Sequence, residues 1–498
     1  MTQAATRPDQ GDITTSPLIT SRIELGELND RIVALPLSRF RSRWWVAVGL
    51  AAALASIGGA SVAWLLAFGV GVWGVNVPVA WGFAIVNFVW WIGIGHAGTL
   101  ISAILLLLRQ PWRNSINRFA EAMTLFAVAN AGLFPLLHLG RIWKFYYLLP
   151  YPNQMGVWPQ WRSPLVWDAF AVSTYALVSL LFWYPGLIPD LGAFRDVTRS
   201  RVLRRVVGFL ALGWRGETTQ WQALQRGYLI LAGLATALVI SVHSIVSLDF
   251  AVGIVPGWNA TIFPPFFVAG AIFSGFAMVL TITIPLRALL RLKDIVTTRH
   301  LDLMAKVMLA TGLIVAYGYL TESLAEAFST EPAELYRLHA RLVGHGAVTF
   351  WTTVLCNVVI AQLLWFRRVR TRPILLLLVS LVINVGMWLE RYDIVVTSLE
   401  RDYLPSAWRP YMPTLLDWGL FIGTIGLFTL LFLLFIRLLP ICPVYEVKEL
   451  AHEHGQIAPP TKRAQRSWSI APGRRFIAEF DEPGAFISAA RSLCANGC

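Results

Sequence analysis

Ten long apolar runs, separated by short polar segments, dominate the pattern of this 498-residue chain. Each run has about the length that a helix needs to cross roughly 30 Å of hydrocarbon. The pattern therefore predicts an all-α integral membrane protein with about ten transmembrane helices. The runs are 44–73, 80–108, 119–139, 164–189, 227–249, 263–290, 303–328, 342–366, 373–399 and 414–440.

Both ends of the chain are polar. Residues 1–43 are rich in Thr, Asp, Glu and Arg and lack the short apolar core of a cleavable signal peptide. Residues 441–498 contain Pro459, Pro460 and several basic residues. We interpret the first segment as soluble, and we expect the second to be a surface arm that packs on a partner protein.

The composition and the placement of charge fit a membrane protein. Charged residues make up 14% of the chain, whereas a soluble domain has roughly 25%. The net charge of +13 does not indicate nucleic-acid binding, because the basic residues lie at the ends of apolar runs. With the N-terminus inside, most of the 41 Lys and Arg residues fall in inner segments, as the positive-inside rule requires. We therefore expect a lipid bilayer around the chain and both termini in the cytoplasm.

The cysteines do not indicate a metal centre. No CxxC pair occurs among Cys356, Cys442, Cys494 and Cys498, so neither structural zinc nor an iron–sulfur cluster is predicted.

Ionisable residues of the apolar runs gather towards the predicted outer face. Such residues are costly in hydrocarbon, so each is a candidate for function. His138 ends the third run, Asp168 opens the fourth, and Asp249 ends the fifth. His243 and Ser247 precede Asp249 and, being four residues apart, share one helix face. We expect the two histidines and two aspartates to lie at one depth and to form a shared site.

Other polar residues are candidates for a proton path or for structure. Glu322 and Glu326 are four residues apart, and two carboxylates this close in a dry site do not both ionise easily, which suits a proton relay. Both could instead face water. His96 lies near mid-membrane among small residues that permit close helix packing. The remaining candidates are Arg141, as a pocket-lining residue or a headgroup anchor, Glu121, His345 and Asp417, with Glu390 and Arg391 as a possible structural ion pair.

A site of this composition suits quinol oxidation, which releases two electrons and two protons. A neutral histidine can accept a proton near physiological pH, and a neighbouring carboxylate orients the imidazole. Apolar helix walls would hold an isoprenoid tail. A proton-coupled transporter site would have a similar composition, so the residues alone leave both open.

Several longer motifs resemble the NrfD/polysulfide-reductase membrane-subunit family. They are Trp81-Gly-Phe-Ala-Ile-Val-Asn-Phe-Val-Trp-Trp-Ile-Gly-Ile-Gly-His96-Ala-Gly-Thr99, Arg118-Phe-Ala-Glu121, Gly132-Leu-Phe-Pro-Leu-Leu-His138-Leu-Gly-Arg141, Ser163-Pro-Leu-Val-Trp-Asp168 and Ser241-Val-His243-Ser-Ile-Val-Ser-Leu-Asp249. The resemblance covers about residues 40–440. Within the family, the ten-helix length and these motifs closely resemble ActC, the larger NrfD-like subunit of alternative complex III.

This resemblance implies a specific architecture and role. The second to fifth and the sixth to ninth helices would form two four-helix bundles, with the first and tenth helices peripheral. The subunit would hold no haem or cluster and would oxidise a quinol, with menaquinol favoured, in the inner membrane of a bacterium. Electrons would pass to a periplasmic iron–sulfur subunit and multihaem cytochrome c subunits, beside a second NrfD-like membrane subunit. The implied quinol-site residues are His138 and Asp168, with Asp249 and His243 as further members.

Three other interpretations remain at this stage. A b-type cytochrome would need axial histidines on neighbouring helices, but no run carries the repeated histidine pair typical of that class. A secondary transporter usually binds its substrate near the midplane, whereas this polar cluster lies towards one face. A purely structural anchor has little reason to keep His and Asp at a common depth.

Overall fold

The computed structural model describes residues 18–19, 42–148, 161–198 and 200–453, and every regular element within them is helical. Among these residues, ten helices are long and apolar enough to span a membrane, which confirms the predicted fold class. They are α1 (Ser42–Phe68), α2 (Phe83–Leu107), α3 (Asn117–His138), α4 (Pro164–Val197), α5 (Thr218–Ala251), α6 (Phe263–Leu289), α7 (Thr298–Ala327), α8 (Ala347–Trp365), α9 (Pro373–Thr397) and α10 (Leu415–Leu438). We call the face at which α1 begins the inner face and the opposite one the outer face.

The helices group as the two expected bundles. In the first, α2 packs against α3 and α5, and α4 packs against α3 and α5. In the second, α6 packs against α7 and α9, and α8 packs against α9. The bundles meet where α2 packs on α6, and a Cβ added at Gly275 would lie 2.3 Å from the Cβ of Ala97. Close approach of two backbones at glycine is a common way for membrane helices to associate.

The first and tenth helices form a peripheral pair. A Cβ at Gly58 of α1 would lie 2.8 Å from the Cα of Gly423 on α10, so the two backbones are nearly in contact. The α10 helix then packs on α3, and much of the remaining surface of α1 is exposed. Peripheral packing of this kind leaves α1 facing lipid.

The inner ends of α4 and α5 extend beyond their apolar runs. Both helices have 34 residues, and the sequence pattern ended the fourth run at residue 189 and began the fifth at 227. An apolar run marks only the part of a helix that lies in hydrocarbon. The helix itself, with its backbone hydrogen bonds, continues beyond that part into water. A capping box formed by Glu217 and Gln220 begins α5 at Thr218, and Ser200 caps the short helix Arg201–Leu210 between them.

The polar tail differs in part from the prediction. Its first residues form a helix, Val444–Glu453, that packs on the inner end of this chain's own first bundle rather than serving only as an arm for a partner. Glu446 explains the contact, because it pairs with Arg113 at 3.2 Å and accepts a hydrogen bond from Asn117. Residues 454–498, including Cys494 and Cys498, lie outside the described residues, as do most of the N-terminal segment and residues 149–160 of the outer loop.

Candidate functional site

Two carboxyl groups meet near the outer end of the first bundle. Asp168, in the second turn of α4, is buried, and its carboxyl group lies beside that of Asp249 near the end of α5. The Oδ1 atom of each residue is buried without a hydrogen-bond partner among the described residues. Two neighbouring carboxyl groups can share one proton, because a protonated carboxyl donates to an ionised one. This pair, which we call the outer carboxyl pair, can therefore hold and release a proton in an apolar setting.

His138 lies at the same end of the bundle, at the C-terminus of α3. Its ring stacks on Trp73 in the α1–α2 connection, with 6.3 Å between ring centroids. The Nδ1 atom is buried and has no hydrogen-bond partner among the described residues. Arg141, three residues further on, is exposed at the outer surface. The structure thus leaves an unsatisfied histidine nitrogen near the outer end, where the sequence predicted a site.

His243 does not lie at the depth of the outer carboxyl pair, which corrects the expectation of one shared depth. Asp249 is six residues further along α5, and a helix rises about 1.5 Å per residue, so His243 lies roughly 9 Å deeper. There its ring contacts that of His96 on α2 edge to face, with 4.3 Å between centroids. Both residues are fully buried. We call them the histidine pair.

The surroundings of the histidine pair orient the His96 ring and leave three of the four ring nitrogens without a hydrogen-bond partner among the described residues. His96 Nδ1 lies 2.6 Å from the carbonyl of Ile92, and its ring stacks on Tyr175 of α4 at 5.0 Å. The Tyr175 hydroxyl lies 2.6 Å from Thr99 Oγ1 and donates to the Gly95 carbonyl. His96 Nε2 and both ring nitrogens of His243 lack a hydrogen-bond partner among the described residues. Such groups in a buried site call for water or a ligand.

Ser247 shares the buried face of α5 with His243, as its spacing predicted. Its hydroxyl donates to the Ser244 carbonyl at 2.6 Å, so the backbone of its own helix satisfies it. A role in lining a pocket stays a prediction.

The outer end of the second bundle is closed by ion pairs. The short helix Pro332–Leu342 brings in Arg337 and Arg341, both 2% exposed. Arg341 contacts Glu322 at 2.9 Å and Asp393 at 2.7 Å. Arg337 pairs with Glu326 and donates to Ser398 Oγ. The alternative in which Glu322 and Glu326 face water is therefore wrong, because both are buried and pair with the two guanidinium groups. Their place on a proton path stays a prediction.

A second cluster of polar side chains lies on the side of the second bundle that faces the first. Glu390 forms an ion pair with Arg391, as one interpretation of the sequence had it, and accepts a hydrogen bond from Tyr319. The Arg391 guanidinium lies over the Phe267 ring, 4.3 Å from its centroid. Phe267 also contacts His243, at 6.2 Å between centroids. Phe267 therefore lies between a polar residue of the second bundle, Arg391, and one of the first, His243.

Asp417 and His345 have plainer surroundings. Asp417 Oδ2 accepts hydrogen bonds from the backbone N–H groups of Gly74 and Thr414, so the residue caps α10 and joins it to the α1–α2 connection. This capping role accounts for a buried aspartate at position 417, so no role in a proton path is needed to explain it. His345 lies 3.7 Å from Glu400. Burial lowers the pKa of His345 and raises the pKa of Glu400, so both are biased towards their neutral forms.

Glu121 belongs to a cluster at the inner end of the first bundle. It accepts a hydrogen bond from the Tyr228 hydroxyl at 2.8 Å and lies 3.7 Å from Arg118. Arg118 also pairs with Asp190 of α4 at 3.0 Å. A buried glutamate held by one cation and one phenol is a satisfied structural group as it stands, and it could also exchange a proton with the inner face.

Sequence reasoning missed several residues of these clusters. Tyr175 and Tyr319 are buried and Tyr228 is partly buried, all with bonded hydroxyls. The available signal was a tyrosine within an apolar run. Arg337 and Arg341 gave no signal, because basic residues in an outer loop look like ordinary surface charge. Among the described residues, no group of three or more His, Cys, Asp or Glu side chains could hold a metal ion.

Comparison with known proteins places these observations in a family. The family model described as "Polysulphide reductase, NrfD" matches residues 71–401. A putative membrane subunit of a dimethyl sulfoxide reductase from Halobacterium salinarum is 27% identical over 49% of this chain and 51% of that protein. A subunit of the selenate reductase from Mesobacillus selenatarsenatis is 23% identical over 76% of this chain and 90% of that protein. The chain thus spans about half the length of the first relative and most of the second.

Proposed function

The chain belongs to the NrfD polysulphide reductase family, and from this premise we propose that it oxidises a membrane quinol near the outer face, as the membrane subunit of a multisubunit redox complex. Both relatives are named as subunits of reductases, which supports a place in an oxidoreductase complex. The observation that carries the proposal is the outer carboxyl pair of Asp168 and Asp249, buried at the outer end of the first bundle.

The roles of the residues follow from the balance of the reaction. Oxidation of a quinol to a quinone releases two protons and two electrons. The carboxyl pair can accept one quinol proton, and the open Nδ1 of His138 can accept a proton or position a quinol hydroxyl. We propose that both electrons leave through a partner subunit that carries a redox centre. Protons accepted at this end are released at the outer face.

The histidine pair extends the site towards the membrane centre. We propose that His96 and His243 exchange a proton with each other through bound water, since three of their four nitrogens lack a partner among the described residues. Glu121 lies further in on α3, so a path from the inner face would pass from Glu121 to this pair. The carboxylates of the second bundle are less suited to a path, because Arg337 and Arg341 neutralise Glu322 and Glu326.

The finer identity that we propose is the ActC-like subunit of an alternative complex III. Menaquinol is the favoured substrate in that role, in a bacterial inner membrane with both termini in the cytoplasm. The partners would be a periplasmic iron–sulfur subunit, multihaem cytochrome c subunits and a second NrfD-like membrane subunit, with no haem or cluster in this chain. The direct contact of the His96 and His243 rings leaves no room for a porphyrin between these two histidines.

The alternatives are a cofactor-free membrane anchor and a proton-coupled transporter. The experiment that separates them is electron transfer from a reduced quinone to an artificial or cytochrome acceptor, catalysed by the chain purified with its native subunits. Quinol-dependent reduction of the acceptor that is lost when this chain is deleted and restored when it is re-expressed supports the proposal. Full quinol oxidation by the other subunits without this chain would make it an anchor. Solute transport in liposomes without any electron acceptor would favour a transporter.

A further inference from the structure

A crevice of about 490 Å³ opens at the inner end of the first bundle, away from the proposed quinol site. Its walls come from the end of α2, the inner halves of α4 and α5, and the helix Val444–Glu453. The lining residues on which the argument rests are Leu106, Arg109, Trp221, Gln225, Leu229 and Glu446.

The crevice lies at the depth where lipid headgroups meet acyl chains. Leu106 is near the inner end of the second apolar run, and Leu229 near the inner end of the fifth, 49% exposed. Arg109 and Gln225 lie just beyond the ends of these runs, beside Trp221, a residue type that prefers the membrane interface. One side is therefore apolar and faces hydrocarbon, and the other is polar and faces the surface. An occupant of this space must be amphiphilic.

The charge in the crevice favours an anion at its polar side. Of the three carboxylates in the wall, Glu446 pairs with Arg113 at 3.2 Å, Asp190 pairs with Arg118 at 3.0 Å, and Glu449 has an interaction of its own. Arg109 is exposed, and none of the described carboxylates forms an ion pair with it. Its backbone is fixed at a φ of 51°, where its N–H bonds to Leu106 O and that of Gln110 to Leu105 O. This uncompensated cation is thus anchored at the rim.

We propose that this crevice binds an inner-leaflet glycerophospholipid, with its phosphate against Arg109 and its acyl chain along Leu106 and Leu229. The Gln225 amide can donate a further hydrogen bond to the headgroup. An arginine at the cytoplasmic ends of transmembrane helices can bind an anionic headgroup. A quinone has no anion to place at Arg109, which favours the phospholipid. Because the helix Val444–Glu453 forms one wall, the lipid also fastens that helix to α2 and α5.

The test uses the full chain, purified in mild detergent with its native subunits, and native mass spectrometry of the retained lipid. Affinity for added dioleoylphosphatidylglycerol is read from the rise in melting temperature with lipid concentration. Arg109→Gln removes the phosphate contact, and Leu106→Trp fills the apolar side. Arg291→Gln is the matched control, since Arg291 follows the inner end of α6 in the same left-handed conformation, with a φ of 57°. Melting temperatures without added lipid establish that each variant is folded.

We expect the wild type and Arg291→Gln to retain one phospholipid, and Arg109→Gln to bind the added lipid about tenfold more weakly, the cost of one charge-assisted contact. Leu106→Trp should lose the retained lipid. Equal affinity in all four proteins would overturn the proposal. Stabilisation by inorganic phosphate alone as large as that by lipid, or a quinone retained in place of a phospholipid, would also overturn it.

Discussion

The carboxyl groups of Asp168 and Asp249 lie side by side between α4 and α5, at the outer end of the first bundle. The residues are 81 positions apart in the sequence, and each lies near the outer end of its helix. A pair of this kind binds one proton more readily than two separate carboxylates would, and its charge changes when that proton leaves. Asp393, near the end of α9 in the second bundle, differs because it is paired with Arg341 at 2.7 Å.

The histidine pair provides the first prediction. If His96 and His243 act as one proton-exchanging unit, His96→Phe and His243→Phe should each lower quinol turnover, and the double variant should be no slower than the slower single one. Residues that act as a unit give non-additive losses of this kind. The measurement is a double-mutant cycle on turnover with the assembled complex. Losses that multiply in the double variant would show that the two rings act separately.

The ion-pair network of the second bundle predicts a large loss of stability. Arg341→Gln leaves Asp393 buried without its cation and leaves Glu322 with Arg337 alone, at 3.6 Å, and breaking a buried pair in this way costs roughly 3–5 kcal/mol. Arg409→Gln, at an exposed outer position, should change stability by less than about 0.5 kcal/mol. Denaturant unfolding in detergent followed by tryptophan fluorescence compares the two. Equal stability of both variants would mean that water, and not Arg341, compensates these carboxylates.

The cap at Asp417 predicts a stability effect without a catalytic one. Asp417→Ala removes the acceptor of the Gly74 and Thr414 N–H groups and should cost roughly 0.5–2 kcal/mol, while quinol turnover per assembled complex stays at the wild-type level. Melting temperature and turnover are measured on the same preparation. A stable variant with strongly reduced turnover would return Asp417 to the proton-path candidates.

Close packing between α2 and α3 predicts sensitivity to a single methyl group. A Cβ at Gly98 would lie 2.1 Å from the Ala120 carbonyl oxygen, so Gly98→Ala must push the helices apart. Overpacking of a well-packed interior costs roughly 1–3 kcal/mol. Gly132→Ala on α3 is the control, because nothing lies within 4 Å of its added Cβ. The yield of folded protein after detergent extraction separates the variants, and equal yields would contradict the observed packing.

The sequence predicted the features that depend on hydrophobicity and depth. The ten runs became ten helices, and the small residues around His96 allow the expected close contact. Asp168 and Asp249 came together because residues at the same end of adjacent helices are near each other. The pairing of His243 with His96 could not be predicted, since it depends on the rotation of α5 and α2 about their axes. Arg337 and Arg341 were unforeseen because the fold-back of the helix Pro332–Leu342 has no hydrophobic signature.

The central claim is that the outer carboxyl pair takes part in quinol oxidation, and the most direct measurement compares two aspartates of α4. Asp168 lies at the outer end beside Asp249, and Asp190 lies at the inner end beside Arg118. Turnover of a reduced quinone is measured in Asp168→Asn and Asp190→Asn, with the assembly of the complex and its melting temperature checked for each. We predict that Asp168→Asn lowers turnover by roughly a hundredfold or more, as loss of a general base does, while Asp190→Asn stays near the wild type. Near-normal turnover in Asp168→Asn, with the complex intact, would contradict the account.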